Sequence, residues 1–214
     1  MDVNQLKSVY FIGAGGIGMS ALVRYFLSKG KKVGGYDRTP SELTEKLIEE
    51  GAQIHYKESV ELIAPDFLDA ESTLIIFTPA IPENHAELQY FRNHGFTIQK
   101  RAQVLGMLTR SGKGLCAAGT HGKTTTTSMI SLCFIEAGLD PNIQVGAQLK
   151  QINGNYRVGN SDYFILEACE YVESYLSFHP KTEIVLNIDN DHLDYFGNLE
   201  NIITSFEHYV KLLP

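Results

Sequence analysis

Short apolar runs alternate along the chain with segments whose apolar residues recur at helical spacing. Residues 7–12, KSVYFI, form an apolar run that ends in glycines, and residues 16–29 then carry the helical pattern. This order predicts a strand, a turn and a helix. The same alternation predicts further strands at 31–37, 73–79 and 96–101, and helices at 39–50, 85–94 and 102–110.

The start of the predicted helix at 39–50 carries its own signals. Thr39 is typical of an N-cap, Pro40 suits the first helical position, and Glu42 fits the acidic position of a capping box. The sequence therefore predicts that this helix begins at Thr39.

Strands that alternate with helices indicate an α/β fold, with a Rossmann-like parallel sheet covered by helices on both faces. The polar, glycine-containing segment 111–114 interrupts the pattern, and a new strand is predicted at 115–119. We therefore predict one domain over 1–110 and a second over 114–214. The second domain continues with helices at 123–137 and 199–212 and strands at 142–147, 162–168 and 183–189.

Composition narrows the class of partner. The chain has 214 residues, of which 43% are hydrophobic and 20% charged, and a formal net charge of -7 without a lysine–arginine block. A nucleic-acid binder is disfavoured, and a small-molecule partner is expected. No run approaches the ~18 apolar residues of a membrane span.

The three cysteines, Cys116, Cys133 and Cys169, lack the spacing of a metal site or a disulfide framework. We therefore expect the three cysteines to be reduced thiols, which is typical of a cytoplasmic protein.

Residues 117–127, AAGTHGKTTTT, fit a P-loop with alanine in place of its first glycine. Gly119 and Gly122 let backbone N–H groups turn toward phosphates, Lys123 reaches the outer phosphates, and the Thr124 hydroxyl holds Mg²⁺. Thr125 is the expected second phosphate contact. His121 either contacts substrate or phosphate or is a neutral loop histidine. The alternative is a threonine-capped helix that binds no ligand.

Residues 13–18, GAGGIG, satisfy the G-x-G-x-x-G pattern after a strand, and Asp37 ends the next strand where an acid can bind a ribose. The motif alone suggests NAD, or a glycine turn that only allows close packing. A hydride-transfer enzyme, however, has no evident use for a P-loop. Two phosphate loops instead suggest that one domain holds a nucleotide-tagged substrate and the next delivers a phosphoryl group.

Acidic residues follow two predicted strands of the second domain. Glu167 ends one apolar strand, and Asp189, Asp191, His192 and Asp194 follow another. The carboxyl ends of strands are where α/β sheets bind ligands, and Mg²⁺ prefers oxygen ligands. The aspartates alternatively solvate a turn and cap the following helix. The remaining histidines occupy surface or helix positions without evident partners: His55, His85, His94, His179 and His208.

The chain resembles the Mur ligase family over essentially its whole length. The resemblance rests on these segments: GAGGIGMS (13–20), YDRTPSELT (36–44), FTPAIPENHAEL (77–88), KRAQVLG (100–106), AGTHGKTTTT (118–127), LEACE (166–170) and NIDNDHLDYFG (187–197). It departs at Cys169, where family members often have aspartate.

The resemblance implies an ATP-dependent ligase that joins L-alanine to UDP-N-acetylmuramate through an acyl phosphate, with ATP and Mg²⁺ as cofactors. It implies that the chain holds a Rossmann-like UDP-sugar domain and the first part of a P-loop ATPase domain. A C-terminal domain would then be absent and the fragment inactive by itself. The alternatives are a ligase that attaches a preformed tripeptide to the same sugar, or a non-catalytic UDP-sugar or NAD-binding module. Oligomeric state is open.

The resemblance also implies roles for individual residues. Lys123, Glu167 and His192 are the implied catalytic residues, and Thr124, Glu167 and His192 lie beside Mg²⁺. The implied ATP site consists of Gly119, Thr120, His121, Gly122, Lys123, Thr124, Thr125 and Asn187. The implied UDP-sugar site consists of Gly13, Gly16, Gly18, Met19, Ser20, Asp37, Thr78 and Arg101.

Overall fold

The computed structural model of the protein describes residues 3–214, apart from the side chain of Asn4. The chain divides into two compact units, Met1–Val104 and Leu105–Pro214. Among residues 3–214, no helix has both the length and the apolar character needed to cross a membrane.

The first unit is built around a five-stranded parallel sheet in the order β3-β2-β1-β4-β5. The strands are β1 (Ser8–Ile12), β2 (Lys32–Tyr36), β3 (Gln53–His55), β4 (Thr73–Phe77) and β5 (Thr97–Lys100). The helices are α1 (Ile17–Ser28), α2 (Glu42–Glu49), α3 (Ala86–Asn93) and α4 (Arg101–Ser111), the last of which runs on into the second unit. This confirms the predicted Rossmann-like α/β architecture.

The central strands of this sheet are buried along their whole length. All five residues of β1 and all five of β4 are buried. Strands covered on both faces need apolar side chains on both sides, which explains why SVYFI and TLIIF are continuous rather than alternating runs. One core cluster joins Tyr10 of β1, Ile75 of β4 and Leu88 and Phe91 of α3.

The second unit has a five-stranded sheet in the order β10-β6-β9-β7-β8. Its strands are β6 (Lys113–Ala118), β7 (Asn142–Leu149), β8 (Gly154–Arg157), β9 (Tyr163–Glu167) and β10 (Thr182–Val185). Its helices are α5 (Lys123–Glu136), α6 (Leu193–Phe196) and α7 (Leu199–Val210). All pairings are parallel except β7 with β8. The predicted alternation is again confirmed, with one antiparallel edge strand added.

The sequence patterns missed two strands, and both lie at sheet edges. β3 is only three residues long, and β8 reads GNYR with no apolar run. Short or polar edge strands carry little periodicity, so pattern analysis has little to detect. The predicted strand at 183–189 ends early, at Val185. Beyond it, the N–H of Leu186 still donates to the carbonyl of Ala118 at 3.0 Å, and the carbonyl of Asn187 accepts from the N–H of Thr120 at 3.1 Å.

The predicted start of α2 is wrong. Ser41, not Thr39, is the N-cap: its Oγ accepts from the N–H of Thr44 at 3.2 Å, and the Thr44 Oγ1 accepts from the N–H of Ser41 at 2.9 Å. The N–H of Thr39 instead donates to a carboxylate oxygen of Asp37 at 3.1 Å. The residues before Ser41 therefore belong to the turn that follows β2.

The interpretation of several histidines is also corrected. His55 hydrogen-bonds to Tyr10, His94 to the carbonyl of Tyr90, and His179 to Arg110. His85 is buried, at 4% exposure. Sequence spacing could not reveal these contacts because most of the partners lie far away along the chain.

We predict that Ser41→Ala lowers the free energy of unfolding by about 1 kcal/mol, the usual cost of losing an N-cap. Thr39→Ala is the matched control and should change it by less than about 0.5 kcal/mol, as for ordinary surface substitutions. Urea unfolding of both variants measures the difference. If both variants lost the same free energy of unfolding, the assignment of Ser41 as the N-cap would be contradicted.

Candidate functional site

The glycine loop of the first unit lies between β1 and α1, at the carboxyl end of the sheet. The carbonyl of Tyr36 accepts from the N–H groups of Gly13 and Ala14 at 2.8 and 3.1 Å. Gly13 has a positive φ of 92°, and a Cβ there would lie 2.5 Å from the Thr78 side chain. Only glycine fits this position, with Thr78 packed against the loop. The role of Thr78 in a ligand site stays a prediction.

Asp37 and Arg101 contact the same loop. The N–H of Gly15 donates to Asp37 Oδ2 at 2.6 Å, and Arg101 Nε donates to the carbonyl of Gly18 at 3.2 Å. A Cβ on Gly18 would lie 2.5 Å from Arg101 Nε. The structure thus brings the glycines, an acid and a cation together around the start of α1.

Gly16 is the N-cap of α1, and no side chain caps this helix end. Uncapped N–H groups and the positive end of the helix dipole suit a phosphate. Met19 and Ser20 are both buried, and their N–H groups donate to the Gly16 carbonyl at 2.9 Å. Their role in a ligand site stays a prediction.

The P-loop of the second unit connects β6 to α5. Gly119 and Gly122 have positive φ values of 132° and 85°, which turn the loop back toward the start of α5. Asn187, which follows β10, holds the loop from the side. Its carbonyl accepts from the N–H of Thr120 at 3.1 Å, and its Oδ1 accepts from the N–H of His121 at 2.8 Å. Asn187 therefore lies at the loop, and its implied place in the ATP site stays a prediction.

Lys123 is held in place by the protein itself. Its ammonium donates to the carbonyls of Gly119 and Thr120 at 2.6 and 3.0 Å and to Glu170 Oε1 at 3.0 Å, and it lies 3.0 Å from Oε2 of the same carboxylate. The two side chains are 12% and 2% exposed. Glu170 was not among the predicted site residues. Its sequence signals are a position just beyond the end of a buried strand and membership of the LEACE segment, 166–170, that carries the family resemblance.

Thr124 and Glu167 form a second pair of oxygen-bearing groups. The Thr124 hydroxyl donates to Glu167 Oε1 at 3.0 Å, and the N–H of Gly146 donates to Oε2 at 2.6 Å. Within residues 3–214, no three histidine, cysteine, aspartate or glutamate side chains form a metal-binding group. A Mg²⁺ ion bound mainly by phosphates and water needs only one or two protein oxygens, so this pair fits such an ion.

The other threonines of the run have separate environments. Thr127 is buried and its hydroxyl donates to the carbonyl of Lys123 at 2.8 Å, whereas Thr125 is exposed in the first helical turn. Thr125 is therefore free of the packing that holds Thr127, and its phosphate contact stays a prediction.

His192 lies at the start of α6 with its ring centroid 4.7 Å from that of Tyr171. The His192 ring contacts Tyr171 and lies near Asp191. These neighbours are different from Thr124 and Glu167, beside which the resemblance placed it. Its role beside Mg²⁺ stays a prediction. His121 is exposed and lies 3.7 Å from Asp189.

The aspartates after β10 accept hydrogen bonds from neighbouring backbone groups. Asp189 Oδ1 accepts from the N–H of Asn190, and Asp191 Oδ1 from that of His192, both at 2.7 Å. These contacts match the turn-stabilising interpretation of the two residues. The helix-capping part of that interpretation is wrong, because Asn198 is the N-cap of α7 and its Oδ1 accepts from the N–H of Asn201 at 2.9 Å.

Two family models match the chain in succession. The model described as Mur ligase family, catalytic domain, matches residues 8–113, and the Mur ligase middle domain matches residues 117–214. The chain belongs to the Mur ligase family. The first Mur ligase model covers the unit with the glycine loop, and the second covers the P-loop.

Individual relatives agree with this assignment. The chain is 56% identical over 214 residues to a UDP-N-acetylmuramate–L-alanine ligase of Phocaeicola vulgatus, covering 100% of this chain and 47% of that protein. It matches the structure of UDP-N-acetylmuramate-alanine ligase from Thermotoga maritima at 29% identity and a TM-score of 0.80, covering 96% of this chain and 47% of the other. The chain thus spans about half the length of the curated relatives it matches.

A third match shows the fold alone. It is the UDP-N-acetylmuramate:L-alanyl-gamma-D-glutamyl-meso-diaminopimelate ligase from Neisseria meningitides, with 23% identity and a TM-score of 0.82. The match covers 98% of this chain and 69% of that one.

We predict that Lys123→Met lowers the free energy of unfolding by about 3–5 kcal/mol, because it leaves the buried Glu170 carboxylate without its cation. Adding Glu170→Gln to the same variant should recover part of the loss. Urea unfolding of the single and double variants measures this coupling.

Lys113→Met is the matched control. Lys113 pairs with Asp162 at 3.1 Å, but the two side chains are 55% and 54% exposed, so solvent screens the pair and the expected loss is small beside that of Lys123→Met. If the variant that combines Lys123→Met with Glu170→Gln is no more stable than Lys123→Met alone, the unpaired Glu170 carboxylate is not the cause of the lost stability.

Proposed function

We propose that this chain supplies the UDP-sugar-binding and ATP-binding parts of an ATP-dependent ligase that joins L-alanine to UDP-N-acetylmuramate. The reaction belongs to peptidoglycan precursor synthesis in the cytoplasm. The observation that carries the proposal is the pair of phosphate-type loops, one in each unit, within a chain 56% identical to a relative of that name.

The first unit is assigned to the nucleotide sugar. The uncapped start of α1 at Gly16 offers N–H groups and a positive helix end to a diphosphate. Asp37 has one carboxylate oxygen on the loop N–H of Gly15 and the other on the N–H of Thr39. Each oxygen keeps a further lone pair, so Asp37 can accept a hydrogen bond from a ribose or uridine group.

The second unit is assigned to ATP. The positive φ values at Gly119 and Gly122 give this loop the shape of a backbone phosphate cradle, with α5 starting directly behind it. Lys123 provides a cation at the mouth of the cradle. All three of its ammonium hydrogens have protein acceptors, so it must leave at least one of them to reach a phosphate.

The donor set at Thr124 and Glu167 fits Mg²⁺, because a hydroxyl and a carboxylate 3.0 Å apart are hard oxygen ligands on one side of the P-loop. Bound there, Mg²⁺ supplies charge neutralisation for the phosphates. The protein's own contribution is to position Thr124 and Glu167, and Gly146 fixes the far oxygen of that carboxylate through its N–H.

In the complete ligase, the muramate carboxylate would take the γ-phosphoryl group of ATP, releasing ADP and forming an acyl phosphate. The amine of L-alanine would then attack the acyl carbon, lose a proton and expel inorganic phosphate as the amide bond forms. Phosphoryl transfer depends mainly on positioning and charge stabilisation. Lys123 is the group that stabilises charge on the transferring phosphoryl.

The first-unit assignment predicts that the chain binds UDP-N-acetylmuramate and that Gly16→Asp abolishes binding. The new carboxylate repels the diphosphate, while aspartate is a favourable N-cap and should keep α1 folded. Isothermal titration calorimetry measures the affinity, with NADH as the competing ligand.

Gly16→Ala is the matched control. A Cβ at Gly16 lies no closer than 3.6 Å to the nearest side-chain atom, so this variant should still bind. Binding of NADH but not of the UDP-sugar would show that the first unit is a dinucleotide site and would refute the proposal.

The second-unit assignment predicts that Lys123→Ala weakens binding of a non-hydrolysable ATP analogue with Mg²⁺ by about tenfold or more, the value of a hydrogen bond to a charged group. Lys113→Ala, at an exposed site of the same unit, should leave the affinity unchanged. Fluorescence titration of both variants, with circular dichroism to confirm folding, tests the assignment. If both variants bound the ATP analogue with equal affinity, Lys123 would not be part of the ATP site.

A further inference from the structure

Three titratable side chains of the first unit meet in one buried row. The Tyr10 hydroxyl lies 2.7 Å from His55 Nε2 on one side and 2.7 Å from Glu87 Oε2 on the other. Tyr10 and Glu87 are 1% and 0% exposed. The three residues come from β1, β3 and α3, and we call them the Glu87–Tyr10–His55 row.

The groups at the two ends of the row determine where hydrogens must be. His55 Nδ1 lies 2.9 Å from the carbonyl of Lys57, which can only accept, so Nδ1 carries a hydrogen. At the other end, Glu87 Oε1 accepts from the N–H of Ser59 at 3.2 Å. Oε2 is therefore the oxygen that faces Tyr10.

The row has one more contact than its ordinary protonation states can fill. Three contacts need a hydrogen each: Lys57 carbonyl to His55, His55 to Tyr10, and Tyr10 to Glu87. A neutral histidine and a neutral tyrosine supply two hydrogens, and a glutamate carboxylate supplies none. A fully hydrogen-bonded row therefore contains one additional proton.

The environment favours Glu87 as the holder of that proton. Burial raises the pKa of Glu87 to about 7, and burial lowers the pKa of His55 below its usual value. A neutral Glu87 donates from Oε2 to Tyr10, Tyr10 donates to Nε2 of His55, and His55 donates from Nδ1 to Lys57. Every contact in the row is then satisfied.

The row is connected to the glycine loop through His55. The backbone carbonyl of His55 accepts from the N–H of Asp37 at 3.0 Å, and Asp37 Oδ2 accepts from the N–H of Gly15 at 2.6 Å. When Glu87 loses its proton, Tyr10 turns its hydrogen to the carboxylate. The lone pairs of the Tyr10 oxygen and His55 Nε2 then face each other at 2.7 Å, a repulsive contact that displaces His55.

We propose that the Glu87–Tyr10–His55 row is a proton-dependent support for Asp37, so that loss of one proton from the row weakens binding of a nucleotide sugar at the glycine loop. This inference rests on the proposed function of the first unit. Glu87 acts through His55 and Asp37, so it is a positioning residue rather than a ligand contact.

Other titratable groups face the row from neighbouring elements. Burial lowers the pKa of His85, and its ring lies 4.8 Å from that of Tyr36, with the two planes tilted by 54°. Glu58, 3.7 Å from His85 Nε2, is an acid whose charge further raises the pKa of Glu87. Tyr36 lies beside the row, with its ring centroid 5.8 Å from that of His55, and the charges of Asp37 and Arg38 act on Tyr36.

The sign of the pH dependence follows from the pKa of Glu87, which is raised from 4.5 to about 7 in the folded protein. The supported arrangement is present below about pH 7 and is lost as the pH rises through that value. Affinity for UDP-N-acetylmuramate should therefore fall by about fivefold or more between about pH 5.5 and about pH 8.5, a typical strength of coupling between linked sites. The diphosphate diester of this probe does not titrate in that range.

Glu87→Gln is the decisive variant. A glutamine amide donates to Tyr10 as the neutral acid does, so this variant should bind as tightly at pH 8.5 as the unaltered chain binds at pH 5.5. Tyr10→Phe breaks the row and should bind weakly and without pH dependence. Glu49→Gln, at an exposed position of α2, is the matched control and should keep the original pH profile.

Two measurements on the full chain test the proposal: calorimetric titration with UDP-N-acetylmuramate across this pH range, and the ¹⁵N chemical shifts of the His55 ring. At low pH the shifts should report a neutral ring with hydrogen on Nδ1. An imidazolium signal there, or a pH profile that Glu87→Gln leaves unchanged, would overturn the proposal. Absence of UDP-sugar binding at every pH would instead refute the function proposed for the first unit, and the His55 shifts would still report on the row.

Discussion

Parallel strands that are buried on both faces impose the constraint on which the rest of this protein depends. Each parallel connection must cross the sheet through a covering segment, so the carboxyl ends of the strands meet along one edge. In the first unit this edge carries the glycine loop and Asp37, after β1 and β2. In the second it carries the P-loop, Glu167 and Asn187, after β6, β9 and β10. One architectural rule thus generates both candidate sites.

Close packing contributes more to the glycine loop than to the P-loop. In the glycine loop, Gly13 lies against Thr78 and Gly18 against Arg101, and backbone N–H groups of the loop also donate to Tyr36 and Asp37. The P-loop is held by polar contacts: Asn187 bonds its backbone, and Lys123 is shared between two loop carbonyls and the buried Glu170. A carboxylate with so little exposure needs a cation, and this need keeps Lys123 at the loop in the absence of a phosphate.

The polar interior of the first unit adds a chemical feature to an otherwise apolar core. Tyr10 belongs to the same cluster as Phe67 and Phe91, yet its hydroxyl joins His55 and Glu87. Buried polar groups of this kind need every hydrogen-bond partner, so their protonation is coupled to the geometry around them. The coupling reaches Asp37 because β2 and β3 are hydrogen-bonded neighbours.

Local signals in the sequence were enough to determine the α/β alternation, both phosphate-type loops and the family. Continuous apolar runs, the glycines at 13–18 and the Gly122–Lys123–Thr124 step are all encoded by neighbouring residues, so they could be read directly. Tertiary structure alone decided which partner each polar side chain meets. The Lys123–Glu170 pair spans 47 residues of sequence, and the Tyr10–Glu87 contact spans 77. Such contacts form when elements distant in sequence become neighbours in the fold, and no local sequence pattern specifies which residues will meet.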